Sequence, residues 1–192
     1  MNTTQVEPLR FTAEHYIALG RMVVEFQFLE QVITQSLVQL MHPSDLQMAL
    51  GFTHTVVNEL SFSARRKLLS NFVESKPVTH FIPTGTKYEK IKSEEMPELL
   101  KRLRLGLKLA SEAEEERNAF THSQWLTDPI CGPPGTVLRM KFRAGPKRIC
   151  GGIKYVKPAD ILALVLKMDE AARSISKETQ HLLAFMRSQE PA

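Results

Sequence analysis

The segment 114–122 carries the residues of this chain best suited to acid–base chemistry on a phosphate. Arg117, Asn118 and His122 place a guanidinium, a carboxamide and an imidazole within about one and a half helical turns. Arg can hold a phosphate through two parallel hydrogen bonds, and His can move a proton near neutral pH. This set predicts phosphodiester cleavage without a metal, with Glu114 as an orienting carboxylate one turn before Asn118.

Helical geometry separates the two principal side chains of this segment. Glu114, Asn118 and His122 recur every four residues on one stripe. Arg117 lies about 140° from His122 on an ideal helix, so the two converge only through the reach of Arg, distortion at a helix end, or a dimer interface. A site shared between two chains is therefore favoured over a site on one undistorted helix.

A structural alternative stands beside the catalytic interpretation. Arg117 can instead form an ion pair with Glu114 or with Glu30, while Asn118 and His122 bond backbone groups or water near the helix end. Glu30 interrupts an apolar stripe and is typical of a residue that fixes helix register. Trp125 is expected to be a core anchor with its indole N–H bonded.

The motif resembles that of the HEPN superfamily, in particular a bacterial branch of it. The resemblance is carried by Arg117 with His122 after four intervening residues, by polar Asn118 directly after the Arg, and by Glu114 one turn earlier. It implies a bundle of four or more helices, a homodimer paired through the motif helices, and metal-independent RNA cleavage. Arg117 would then bind the scissile phosphate and His122 would transfer a proton, with attack by the ribose 2′-hydroxyl.

Many members of that superfamily are noncatalytic, which leaves a second interpretation open. The chain would then be a nucleic-acid- or protein-binding module of a bacterial stress or defence system. Its expected contact surface lies between Val137 and Lys157, which carries seven basic residues and no acidic one: Arg139, Lys141, Arg143, Lys147, Arg148, Lys154 and Lys157.

Strand alternation places Arg139, Lys141 and Arg143 on one face of this basic segment. Concentrated positive charge of this kind suits a phosphate backbone, and RNA is the expected partner. Basic residues also protect edge strands from aggregation, and that alternative stays open. An acidic protein inhibitor is a further candidate for the same surface.

Hydrophobic spacing and turn residues predict a mostly helical chain. Helices are expected at 12–41, 44–50 (closed by Gly51), 61–74, from 93 or 94 to about 125, and from Pro158 onward. The first helix should bury Tyr16, Leu19, Val23, Phe26, Ile33, Leu37 and Leu40. Strands at 137–142 and 149–156 form a β-hairpin within about 136–157. The fold class is an all-α bundle of four or more helices, with this hairpin before the last helix, in a single domain over 1–192.

The composition of the chain bears on its number of domains, its location and its need for a metal or cofactor. With 192 residues, 43% hydrophobic and 24% charged, the chain is expected to be one globular domain. No secretory signal or membrane span is visible, and a cytoplasmic location is expected. Cys131 and Cys150 form no disulfide framework, the histidines show no ligand spacing, and Ser123 has no base facing it. No metal and no cofactor is therefore expected.

Overall fold

The protein folds into five α-helices and a three-stranded antiparallel sheet that lies between the fourth and fifth helices in the chain. The computed structural model describes residues 11–41, 46–74, 95–126, 132–133, 135–144 and 149–188. The helices are α1 Ala13–Met41, α2 Leu46–Thr55, α3 Phe62–Glu74, α4 Glu95–Thr121 and α5 Pro158–Ser188, with a short 3₁₀ helix at Val57–Glu59. The strands are β1 Gln124–Leu126, β2 Val137–Ala144 and β3 Ile149–Val156. This arrangement confirms the predicted helical fold with its β-hairpin.

The chain divides into two compact units. The first consists of Met1–Phe26 and Glu112–Lys167, and the second of Gln27–Ser111 and Met168–Ala192. The sheet and the motif segment both belong to the first unit. None of the helices in the described ranges is long and apolar enough to cross a membrane.

The sheet of the first unit has the strand order β1-β2-β3. The hairpin prediction was correct, and β2 extends two residues beyond it, to Ala144. The predicted continuation of α4 to Trp125 was wrong, because the helix ends at Thr121. Trp125 instead lies in β1, where it pairs with Arg139 of β2. Pairing with a strand more than ten residues away is a nonlocal interaction, which helical periodicity does not report.

The start of α1 is held by its own side chains. The Thr12 hydroxyl accepts a hydrogen bond from the His15 backbone N–H at 3.4 Å, as expected for an N-cap. In return the ring Nδ1 of His15 lies 2.9 Å from the Thr12 hydroxyl, and its Nε2 lies 3.4 Å from the carbonyl oxygen of Val156. His15 is fully buried and joins α1 to the end of β3.

The first half of α1 buries a different face from the predicted one. Ala18 and Met22 are buried, whereas Tyr16 and Val23 are exposed and Leu19 is half-buried. The prediction holds from Phe26 onward, where Ile33, Leu37 and Leu40 are buried. The error arose because this segment is apolar on two faces, so that spacing alone does not choose between them.

The second unit contains α2, α3, the first part of α4 and the later parts of α1 and α5. Its fully buried side chains include Leu29, Ile33, Leu37, Leu69, Leu103, Met168 and Ile175. Ser61 caps α3, accepting a hydrogen bond from the backbone N–H of Ala64 at 3.2 Å. The predicted stop at Gly51 was wrong, because α2 continues to Thr55. A glycine inside a helix costs only about 1 kcal/mol and need not end it.

Candidate functional site

The candidate site lies at the C-terminal end of α4. Three groups satisfy carbonyls of the last turn, whose acceptors have no partner within the helix. The Thr121 hydroxyl donates to the Arg117 carbonyl at 3.0 Å, and the Ser123 hydroxyl donates to the Ala119 carbonyl. The backbone N–H of His122 donates to the Asn118 carbonyl at 3.2 Å. The helix ends at Thr121, directly before His122.

Arg117 is held by two contacts. One terminal nitrogen donates to the side-chain oxygen of Asn118 at 3.1 Å, and the guanidinium carbon lies 4.5 Å from the centre of the Phe26 ring. Such a cation–π contact stabilises by about 0.5–1 kcal/mol at an exposed site and more when desolvated. Within the described part of the chain, the buried Nε of Arg117 has no hydrogen-bond partner.

Asn118 connects the motif to the sheet. Its side chain accepts from Arg117, and its backbone carbonyl accepts from the Lys141 ammonium at 2.8 Å as well as from His122. A lysine at this position also meets the partial negative charge at a helix C-terminus. Asn118 therefore contacts the Arg117 side chain, the backbone of the turn at His122, and Lys141 of β2.

His122 is exposed and is the first residue after α4. Because it lies in the turn after the helix, the angle of about 140° from Arg117 on an ideal helix does not describe its position. Glu114 lies half-buried one turn before Asn118 on the same helix.

The basic residues of β2 lie against the end of α4. Arg139 and Lys141 share one face of the strand, as the alternation predicts, and both are half-buried. The Arg139 guanidinium carbon lies 4.8 Å from the centre of the Phe120 ring, and burial lowers the pKa of Arg139. The cross-strand partner of Arg139 in β3 is Lys154, which is exposed. Lys157 is also exposed. The side chains of the other three predicted basic residues, Arg143, Lys147 and Arg148, lie outside the described part of the structure.

An aromatic cluster supports this face of the sheet. Trp125 makes an edge contact with Phe11 at 5.3 Å between ring centres and a nearly parallel contact with Phe120 at 6.2 Å. Trp125 is half-buried among these rings rather than fully buried in the core. Phe120 thus contacts both Trp125 and Arg139, which are partners across β1 and β2.

Glu30 lies in the second unit and is paired there. Its carboxylate is 3.3 Å from the guanidinium of Arg65, which also donates to the hydroxyl of Thr34 and to the carbonyl of Leu60. This network joins α1 to the start of α3. It accounts for Glu30 as a residue that fixes the packing of two helices, in agreement with the register interpretation.

Sequence reasoning missed the link between the motif and the hairpin. It treated the segment 114–122 and the basic strand as separate features, whereas Lys141 bonds Asn118 and Arg139 stacks on Phe120. Two signals pointed to the link: a run of cations on one strand face, and a helix end that attracts cations. Among the residues that the structure describes, no three His, Cys, Asp or Glu side chains come together as metal ligands.

Comparisons of the chain with protein-family models, with curated proteins and with solved structures find no match. The resemblance to the HEPN superfamily therefore depends on the motif residues alone, and membership of that superfamily stays a prediction.

Proposed function

We propose that the protein is a metal-independent endoribonuclease whose site is the end of α4. The observation that carries the proposal is that Arg117 and Lys141 both bond Asn118, which lies four residues before the exposed His122. Two cations thus contact Asn118, and the histidine proposed to carry the proton follows four residues later in the chain. A phosphodiester needs charge neutralisation and proton transfer to be cleaved, and these side-chain types provide both.

The chemistry is a transfer of the phosphate within the RNA strand. His122 takes the proton of a ribose 2′-hydroxyl, and the 2′-oxygen forms a bond to the adjacent phosphorus. The bond from phosphorus to the 5′-oxygen breaks, and that oxygen takes up a proton. The products are a 2′,3′-cyclic phosphate and a 5′-hydroxyl, with no other reactant consumed.

Arg117 would neutralise the phosphate during this transfer. A guanidinium has five N–H donors, and the bond to Asn118 uses one of them. A small shift toward a bound phosphate would also give the buried Nε an acceptor. An unpaired buried donor costs about 1–3 kcal/mol, so that shift is favoured once the phosphate is present.

Two copies of the chain are proposed to share this site, as the resemblance implies. Mixing inactive Arg117→Ala with inactive His122→Ala tests the sharing. If each site takes its Arg from one chain and its His from the other, mixed dimers contain one intact site. Random exchange of subunits then restores roughly a quarter of the wild-type rate. Mixtures that stay inactive after exchange would assign each site to a single chain.

The alternative is a noncatalytic module that binds nucleic acid or an acidic protein through the basic hairpin. One observation favours it: Arg117 already stacks on Phe26 and bonds Asn118, which is sufficient to explain the residue structurally. In that case the exposed ammonium of Lys154 contributes to the contact surface, and His122 has no chemical role.

The two functions are separated by incubating the protein with RNA in the presence of a chelator. The nuclease predicts cleavage to cyclic-phosphate ends, with a loss of at least a hundredfold in the His122→Ala and Arg117→Ala variants. His181→Ala, at an exposed histidine of the second unit, is the matched control and should cleave like the wild type. RNA that stays intact at a high concentration of the wild-type protein would exclude the nuclease and favour the noncatalytic binding module.

A further inference from the structure

The outer face of α1 in the first unit is an exposed apolar surface. Its members are Tyr16, Ile17, Gly20, Val23 and Val24, and together they are called the α1 patch below. Tyr16, Ile17 and Val24 are 65%, 62% and 63% exposed, so most of each side chain meets water. A Cβ placed on Gly20 would meet no described atom within 4 Å. Contiguous apolar surface of this kind marks interaction sites on soluble proteins.

The spacing of the α1 patch is symmetric about Gly20. Ile17 and Val23 lie three residues away on either side, and Tyr16 and Val24 lie four residues away. All five positions fall within a sector of about 120° on an ideal helix. A two-fold axis through Gly20 would therefore bring each position of one antiparallel helix opposite its counterpart on the other: Ile17 opposite Val23, Tyr16 opposite Val24, and Gly20 opposite itself.

We propose that a second copy of this chain docks on the α1 patch through an antiparallel pairing of the two α1 helices. A self-complementary surface is what a two-fold homodimer requires, because residue i of one chain contacts residue j of the other and the reverse. A partner of different sequence would gain nothing from this symmetry. The glycine at the axis lets the two backbones approach closely at the centre of the contact.

The area of the α1 patch can be compared with the area that stable protein interfaces bury. The patch presents on the order of 400 Å² of apolar surface per copy, so its apolar contact buries on the order of 800 Å² in the pair. Specific stable interfaces bury about 1,200–2,000 Å² in total, and weaker ones bury less. A dimer built on this core is therefore reversible, with dissociation in the micromolar range, unless polar residues at its rim add area.

This interface differs from the pairing of motif helices that the resemblance implies. The patch occupies the face of α1 turned away from the buried side chains of Ala18, Met22 and Phe26. Phe26 is the residue on which Arg117 stacks. The inference does not depend on the proposed function, because it uses none of the motif residues and its test measures mass rather than cleavage.

Sedimentation of the full chain from about 1 to 200 μM tests the interface. The mass of the wild type should rise at least twofold in this range, whether the species at low concentration is a single chain or a dimer paired through the motif helices. Val24→Lys should raise the dissociation constant of this step at least tenfold by placing a charge in the contact. Leu166→Lys is the matched control, because Leu166 is an equally exposed apolar residue of α5, 66% exposed. It should associate like the wild type, and so should Arg117→Ala.

Cross-linking gives a second measurement that does not rely on weakening the dimer. In a Cys131→Ser/Cys150→Ser background, Gly20→Cys should form a disulfide-linked dimer under mild oxidation, since the axis brings the two positions together. Glu14→Cys, an exposed position of α1 outside the patch, should not. A wild type whose mass stays constant, equal loss in Val24→Lys and Leu166→Lys, or association lost only in Arg117→Ala would overturn the proposal.

Discussion

His15 is a buried histidine with a defined set of partners. Its Nδ1 is close to the backbone N–H and hydroxyl of Thr12, and its Nε2 lies 3.4 Å from the carbonyl of Val156. The neutral ring with its proton on Nε2 satisfies all three contacts, because it accepts at Nδ1 and donates at Nε2. The side chain therefore fixes the first turn of α1 against the last residue of β3.

Replacement of His15 by Ala should destabilise the protein. The change removes the buried ring and leaves the Val156 carbonyl without this donor, at a cost of about 2–3 kcal/mol. Urea unfolding followed by circular dichroism measures the loss. His54→Ala, at an exposed histidine of α2, should change stability by less than about 0.5 kcal/mol. Equal unfolding midpoints for the two variants would show that His15 is not a structural anchor.

Helix α4 packs closely on α5 inside the second unit because Gly106 has no side chain. A Cβ on Gly106 would lie 3.0 Å from Cγ1 of Ile175 and 3.1 Å from the hydroxyl oxygen of Ser174. Ile175 is fully buried, so it has little room to move away. Overpacking of this kind typically costs about 1–3 kcal/mol, which exceeds the gain in helix propensity of about 1 kcal/mol.

Gly106→Ala and Gly51→Ala should therefore change stability in opposite directions. Gly106→Ala should lose about 1 kcal/mol after the gain in propensity is included. Gly51 is an exposed residue inside α2 with open space around it, and Gly51→Ala should gain about 1 kcal/mol. Thermal and urea unfolding of both variants measure the difference. A Gly106→Ala protein as stable as Gly51→Ala would mean that α5 yields to the added methyl group.

Lys167 on α5 joins two carboxylates of α4 in the first unit. Its ammonium bonds Glu116 and lies 4.0 Å from Glu112. The hydrogen bond to Glu116 raises the pKa of Lys167 against the opposing effect of burial. A raised pKa means that the folded state holds this proton more tightly. The contribution to stability is therefore present below the ordinary lysine pKa of about 10.4 and is lost as pH rises above it.

The pH dependence of the Lys167→Met variant should show this contribution. Below about pH 10 the variant should be less stable than the wild type, by less than about 1 kcal/mol because both partners are partly exposed. The difference should shrink between about pH 10 and 12. Lys101→Met, at the more exposed pair with Glu98, serves as the control with a smaller effect. A difference that grows with pH would contradict the assignment.

Helices and strands were predicted correctly where residues in the sequence itself mark their ends. Pro158 begins α5, and the starts of two strands, Val137 and Ile149, were predicted correctly. The end of α4 was missed because Trp125 belongs to a strand only through its partner Arg139. The inward face at the start of α1 was missed because the α1 patch is as apolar as the buried face, so that the spacing of apolar residues fits both faces.

The site itself was predictable only in part. The residue types of the motif and the shared strand face of Arg139 and Lys141 follow from spacing. That Lys141 reaches the Asn118 carbonyl depends on how the sheet lies on the helix, which is set by buried residues far apart in the chain. The contact of His15 with the Val156 carbonyl was not predicted, because a single histidine carries no sign of the carbonyl it will meet.

The distribution of charge over the chain indicates which part of the protein should contribute most to the proposed RNA binding. The formal net charge is +4, so the seven basic residues between 137 and 157 exceed it and the rest of the chain is slightly acidic. Affinity for RNA should therefore come mainly from the hairpin and fall with salt. Arg139 and Lys141 are partly engaged with α4, whereas Lys154 is exposed beside them.

Lys154→Ala should consequently reduce the salt dependence of RNA binding. Each phosphate contact to a single strand contributes about 0.7 to the slope of log affinity against log salt, and this variant should lose about that amount. Binding titrations of a single-stranded RNA between about 50 and 300 mM salt measure the slope. Lys177→Ala, at an exposed lysine of α5 in the second unit, removes the same charge and should leave the slope unchanged. Equal slopes for the two variants would mean that net charge, rather than the hairpin, attracts the RNA.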